Sequence, residues 1–145
     1  MKIFEDSFVD MQASMLKLCI DYVNQDVDNI YIYIYCFYDN KMSYVGFFFK
    51  IKGNILGKHE ILENRSDKAQ LDVLRYLSYD LEKINELFIK NKKEMPIEMK
   101  IIYNGKTKGM HSTYNYDPSL SLDDAKYAGD LKKEWYEELK KGNNQ

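Results

Sequence analysis

Apolar side chains at residues 4–23 return at three- and four-residue steps: Phe4, Phe8, Met11, Met15, Leu18 and Tyr22, with Asp6, Asp10, Lys17 and Asp21 between them. That spacing gathers one stripe on a helix and predicts an amphipathic helix over 4–23. After the polar run Asn24 to Asn29 the period changes to two. Ile30, Ile32, Ile34 and Cys36 alternate with Tyr31, Tyr33, Tyr35 and Phe37, a β-branched and aromatic pattern that predicts a strand. Asp39-Asn40-Lys41 offers turn chemistry, and Ser43 to Ile51 predicts a second strand, paired with the first as an antiparallel hairpin. A short turn at Lys52-Gly53-Asn54 leads to a weaker third strand, Ile55 to Leu62, which contains Gly57 and His59 and is expected near a sheet edge.

Ser66 and Asp67 supply N-cap oxygens for a long helix whose expected buried stripe is Leu71, Leu74, Leu77 or Ser78, Leu81, Ile84 and Phe88. Lys90, Lys92 and Lys93 suit its carbonyl end, and Pro96 prevents its continuation. Two strands follow, Ile97 to Tyr103 and Gly109 to Tyr116, around Asn104-Gly105, a pair that favours the positive φ angles of a type I′ turn. Asp117-Pro118-Ser119 ends this hairpin. Ser121 is the expected cap of a last helix in which Ala128, Leu131, Trp135 and Leu139 share a face, with Gly142 to Gln145 as a frayed tail. The pattern amounts to an α+β domain: one antiparallel sheet of four to five strands, in the order α-β-β-(β)-α-β-β-α, with the helices most simply on one side. Both faces of the first strand are apolar. Its Tyr/Phe face must therefore lie under a helix or under a partner.

Composition narrows the class. The chain has 145 residues, enough for one domain with a true core. Its formal charge of −2 and its 45% hydrophobic content describe a globular chain, not a polycation for nucleic acid or anionic lipid. Charge is unevenly spread: residues 1–40 carry two lysines against seven acids, and residues 41–58 carry four lysines and no acid. The acidic start and Asp10 give no secretory signal or spanning segment, so a cytoplasmic protein with both Cys19 and Cys36 reduced is expected.

No reaction can be read from the candidate chemistry. His59 and His111 fall on separate predicted strands, and neither cysteine belongs to a Cys-x-x-Cys pair, so no metal or cofactor is expected. Ser112 follows His111, yet adjacent strand residues point to opposite faces and cannot form a nucleophile–base pair. Gly105 to Gly109 lacks the spaced glycines and following helix of a phosphate loop. Asp123 and Asp124 diverge by about a hundred degrees on a helix, and first-turn acids serve its dipole. No catalytic residue is assigned.

The order of the blocks nevertheless resembles the YezG-like family of bacterial antitoxin and immunity proteins. The resemblance rests on the N-terminal helix, on Val27-Asp28-Asn29-Ile30-Tyr31-Ile32-Tyr33 at the entry to the first strand, and on the central helix. It continues from Glu94-Met95-Pro96 through Asn104-Gly105 and Tyr114-Asn115-Tyr116-Asp117 to Glu134-Trp135. It departs from the family pattern at Asp26-Val27-Asp28 and at Gly46. The resemblance implies a protein that stays in the producing cell and sequesters a secreted toxin, commonly a nuclease of an LXG-type or related system. A neutralising protein of this kind is expected as a monomer or weak dimer, needs no active site, and binds through aromatic anchors and complementary charge. Tyr114, Tyr116, Asp117, Asp123 and Asp124 are the candidate partner-binding residues, against the plainer reading of sheet closure, turn and helix cap. Two other classes stay open: a single-stranded nucleic-acid binder stacking bases on the Tyr/Phe strand face, and a small enzyme using a tyrosine or carboxylate at a sheet edge.

Overall fold

A computed structural model describes residues 3–37, 42–61, 66–117 and 128–143. Helix α1 (Phe4–Val23) precedes strands β1 (Asn29–Phe37), β2 (Met42–Ile51) and β3 (Asn54–Gly57); helix α2 (Asp67–Lys90) then leads to β4 (Glu98–Asn104), β5 (Met110–Asn115) and helix α3 (Ala128–Asn143). All five strands form one antiparallel sheet in the order β3-β2-β1-β4-β5, so the α+β class and element order agree with the sequence pattern.

The period-two alternation of β1 builds two cores, one on each face. Ile30, Ile32 and Ile34 join Phe47, Phe49, Met99 and Ile101 beneath α1 and α2, which supply Met15, Leu16, Leu77 and Ile84. Tyr31, Tyr33, Tyr35 and Phe48 pack on the other face with Ile55, Ile97 and Trp135 of α3. The expectation that the helices share one side is thereby corrected. With Tyr31, Tyr33 and Tyr35 at alternate positions of β1, a sheet covered on one face alone would leave a large aromatic surface wet, and α3 removes it from water.

Three local readings also change. The third strand ends at Gly57, and Lys58–Glu60 turn into a single 3-10 turn that carries His59 off the sheet. The Glu60 carboxylate accepts from the Gly57 amide at 2.9 Å and the Tyr22 hydroxyl donates to the Lys58 carbonyl at 2.8 Å, which curls the chain away from β2. On α2 the buried stripe is Val73, Leu77, Leu81, Ile84 and Phe88, whereas Leu71 is exposed, because two helical residues differ by about 200° around the axis. Asn104-Gly105 does not form the two-residue type I′ turn. That geometry belongs instead to Lys52 (φ 50°) and Gly53 (φ 80°), while the β4–β5 connection is longer and places its positive φ at Lys108 (64°). Asn104 organises this longer loop, its side-chain oxygen accepting from the amides of Lys106 and Thr107 at 2.9 and 3.1 Å.

Ser66 caps α2 by accepting from the Ala69 amide at 3.1 Å, as its short hydroxyl favours. The expected Ser121 cap of the last helix lies outside the described residues; α3 extends through Gly142 to Asn143.

Candidate partner-binding surface

β5 is one edge of the sheet, and α1 holds it in place. Met99 and Ile101 of β4 lie opposite Tyr114 and Ser112, which therefore point to the α1 face. There Gln12, fully buried, accepts from the Ser112 hydroxyl at 2.5 Å and donates its amide to the Tyr114 hydroxyl at 3.1 Å. Burying this amide without partners would cost about 1–3 kcal/mol, so the two bonds tie a helix to an edge strand one hundred residues away in sequence. The Tyr114 ring also lies 5.6 Å from the Phe8 ring, which meets Phe88 edge-on at 5.0 Å.

Beyond this anchor the tyrosines remain open to solvent, Tyr114 at 41% and Tyr116 at 46% exposure. Burial and the nearby Tyr114 and Glu94 push the Tyr116 phenol above its ordinary pKa, so it stays a neutral hydrogen-bonding group at physiological pH. The amide of Asp117 donates to the Asn115 side chain at 2.9 Å, which fixes the chain where it leaves the strand. Tyr114, Tyr116 and Asp117 thus occupy one end of β5. Asp123 and Asp124 lie outside the described residues.

Sequence reasoning missed Gln12. Its signal was available: four residues after Phe8 and three before Met15, it interrupts the apolar stripe with a side chain that requires partners. A second exposed aromatic group was also missed. On the outer face of α2 the rings of Tyr76 and Tyr79 meet at 6.2 Å, and Arg75 lies 5.7 Å from the Tyr76 ring while bonding Asp72 at 2.6 Å.

The face under α3 holds a different cluster. Tyr33 is buried and its hydroxyl donates to the Glu98 carboxylate, while the Lys100 ammonium lies 5.2 Å above the Trp135 ring. Burial, then the bond to Glu98, raises the Tyr33 pKa far above its ordinary value. A phenol held in this state serves as a donor and not as a base near neutrality. The strand face considered for base stacking is likewise enclosed, with Tyr31, Tyr33, Tyr35 and Phe48 each exposed by 5% or less. His111 is exposed, whereas the neighbouring Ser112 hydroxyl is engaged by Gln12. Among the described residues no group of histidine, cysteine, aspartate and glutamate is placed to hold a metal ion, and no helix is long and apolar enough to cross a membrane.

The Tyr33 shift has a consequence for stability. A folded-state pKa raised above the unfolded value, about 10, means that the stabilisation is complete below pH 10 and is lost progressively as pH rises from there toward the folded value. Unfolding free energies from urea titrations at about pH 9 to 11 are expected to fall, and Tyr33→Phe to reduce that slope by up to about 1.4 kcal/mol per pH unit. A Phe variant with the parental slope would assign the alkaline loss to other tyrosines. Tyr136, pushed up to about 12 by burial and its bond to Glu60, would then be the first to examine.

No family model matches this chain, and no curated protein matches its sequence.

Proposed function

We propose that this chain is an immunity protein that neutralises a secreted bacterial toxin, in the manner of the YezG-like family, by forming a non-covalent complex. The observation that carries the reading is the end of β5, where exposed Tyr114 and Tyr116 stand beside Asp117 on a strand anchored through Gln12. Tyrosines present large contact areas with few rotatable bonds, and an anchored strand loses little entropy when a partner docks. A tight inhibitor needs such a preorganised aromatic centre with charge at its margin, and no reactive group. The resemblance of the block order to that family suggests the class of partner. A nuclease toxin, evolved to hold phosphate, offers a cationic surface for Asp117.

Co-expression with the toxin domain encoded beside the gene tests the reading, scored first by cell survival and then by co-purification. Survival with a stable complex supports it; killing in the presence of folded chain counts against it. Within that complex, Tyr116→Ala is expected to raise the dissociation constant about thirtyfold, the equivalent of about 2 kcal/mol at an interface hot spot. The unfolding free energy of the free chain in urea should change by no more than about 0.5 kcal/mol, because the ring is nearly half exposed. Titration calorimetry and urea unfolding on the same variant separate these effects.

A further inference from the structure

We propose that β5 also docks a second copy of this chain, the two strands pairing antiparallel about a two-fold axis at Ser112. Among the described residues the sheet ends at β5, and alternate residues of an edge strand turn their amides and carbonyls away from the neighbouring strand. Two bonds set the phase: the Asn104 amide donates to the Gly109 carbonyl, and the Ile97 amide to the Asn115 carbonyl, each at 2.9 Å. Gly109, His111, Thr113 and Asn115 therefore face β4, and Met110, Ser112 and Tyr114 present their backbone groups outward. Proteins commonly blunt such edges with lysine, acid or proline, and Met110–Asn115 contains none of them. The opposite edge, β3, is only four residues long and ends in a 3-10 turn.

Charge identifies the occupant. One end of β5 carries exposed Lys106 and Lys108, and the other carries Asp117, with Glu94 close to Tyr116. Antiparallel pairing of two identical strands brings the basic end of each to the acidic end of the other, the self-complementarity that a two-fold interface requires. The ladder phase admits an axis on Ser112 and excludes one midway between Ser112 and Thr113, since residues with outward amides must face each other. With the axis on Ser112, Tyr114 lies opposite the partner's Met110, and the Asp117 end of each strand lies toward the partner's loop that carries Lys106 and Lys108. Both ends are already shaped, Lys106 and Thr107 by the Asn104 side chain and Asp117 by that of Asn115. The pair would cover Tyr114, Tyr116 and Asp117, so a toxin using these residues would have to displace the second copy. That corollary rests on the proposed function; the pairing itself does not.

Sedimentation equilibrium of the free chain, from about 1 μM to about 1 mM, tests the pairing without any toxin. A reversible monomer–dimer equilibrium is expected. Lys106→Glu with Lys108→Glu, and separately Asp117→Lys, should each raise the dimer dissociation constant at least about tenfold, because every change acts twice in a symmetric pair. All three changes in one chain should restore it to within about threefold. Ser112→Cys should form an intermolecular disulfide on mild oxidation, since directly opposed residues of this kind have Cα atoms about 5.5 Å apart. Circular dichroism confirms that each variant is folded. A chain monomeric throughout this range, including one that binds only a strand from a different protein, overturns the pairing. A dimer indifferent to the charge changes, or not restored by their combination, places the contact elsewhere and overturns it too.

Discussion

Replacing Trp135 with alanine is expected to remove about 3–5 kcal/mol of stability, much of what a domain of this size possesses. The indole is 7% exposed and meets Tyr31 and Phe48 edge-on at 5.5 and 5.2 Å, with Tyr33 at 6.2 Å and the Lys100 ammonium above its ring. Truncation would leave a cavity among closely packed aromatic rings, which cannot turn into it without giving up their other contacts. The effect should extend beyond the cavity. α3 covers the second face largely through Trp135, Leu131, Leu139 and Tyr136, so loosening the indole exposes the tyrosine face to water. A lowered urea midpoint is the first readout. The fluorescence of this single tryptophan in the parent chain is the second, blue-shifted if the ring is enclosed. A Trp135→Ala chain with an unchanged midpoint would mean that α3 contributes little to folding, and would turn its apolar face into an interaction surface.

The division of labour between the two sheet faces also shows what could be read without coordinates. The period-two runs in β1 and β2 and the three- and four-residue steps of α1 specify their elements directly, because side-chain direction follows backbone period. The double apolar face of β1 announced that something must cover its tyrosines, and the stripe around Trp135 was the available cover. What periodicity could not supply was which side each helix takes. That choice depends on chain crossing and long-range packing, which no local window contains.

The proposed surface was legible to a smaller degree. Tyr114, Tyr116 and Asp117 could be named from composition at the end of a predicted strand, but their support could not. Gln12 and Ser112 are one hundred positions apart, and their hydrogen bond exists only once α1 packs over the face of β5. The same limitation explains Leu71. An apolar residue close to a buried stripe reads as part of it until the true phase of the helix, set here by Val73 and Leu77, is known.

Gly105→Ala should cost about 3 kcal/mol, for a reason opposite to the one its Asn-Gly context suggests. Its φ is not positive, so the turn does not need glycine for conformational freedom. The requirement is close approach: a Cβ on Gly105 would fall 1.8 Å from the Val27 carbonyl oxygen and 2.9 Å from its carbonyl carbon. Backbone must move to admit it, and this backbone is held from several directions. The Gly105 amide donates to the Asp28 carbonyl at 2.9 Å, the Asp28 amide to the Lys50 carbonyl at 2.7 Å, and the Gly53 amide to the Asp28 carboxylate at 2.8 Å. Asn29 adds a side-chain bond to the Tyr103 carbonyl at 3.2 Å. A methyl group here must either break the Gly105–Asp28 bond, at about 1 kcal/mol, or displace the start of β1 from both neighbours, with overpacking adding about 1–3 kcal/mol. Gly142→Ala is the control. Among the described residues no atom lies within 4 Å of a Cβ added there, and alanine in place of glycine on α3 should be neutral or stabilising by up to about 1 kcal/mol. Urea unfolding of the two variants in parallel therefore separates a steric requirement from a general effect of losing glycine, and equal midpoints would show that the Val27 carbonyl can yield. Because Gly105 begins the loop that carries Lys106 and Lys108 into β5, a displaced loop should also weaken whatever binds at that edge.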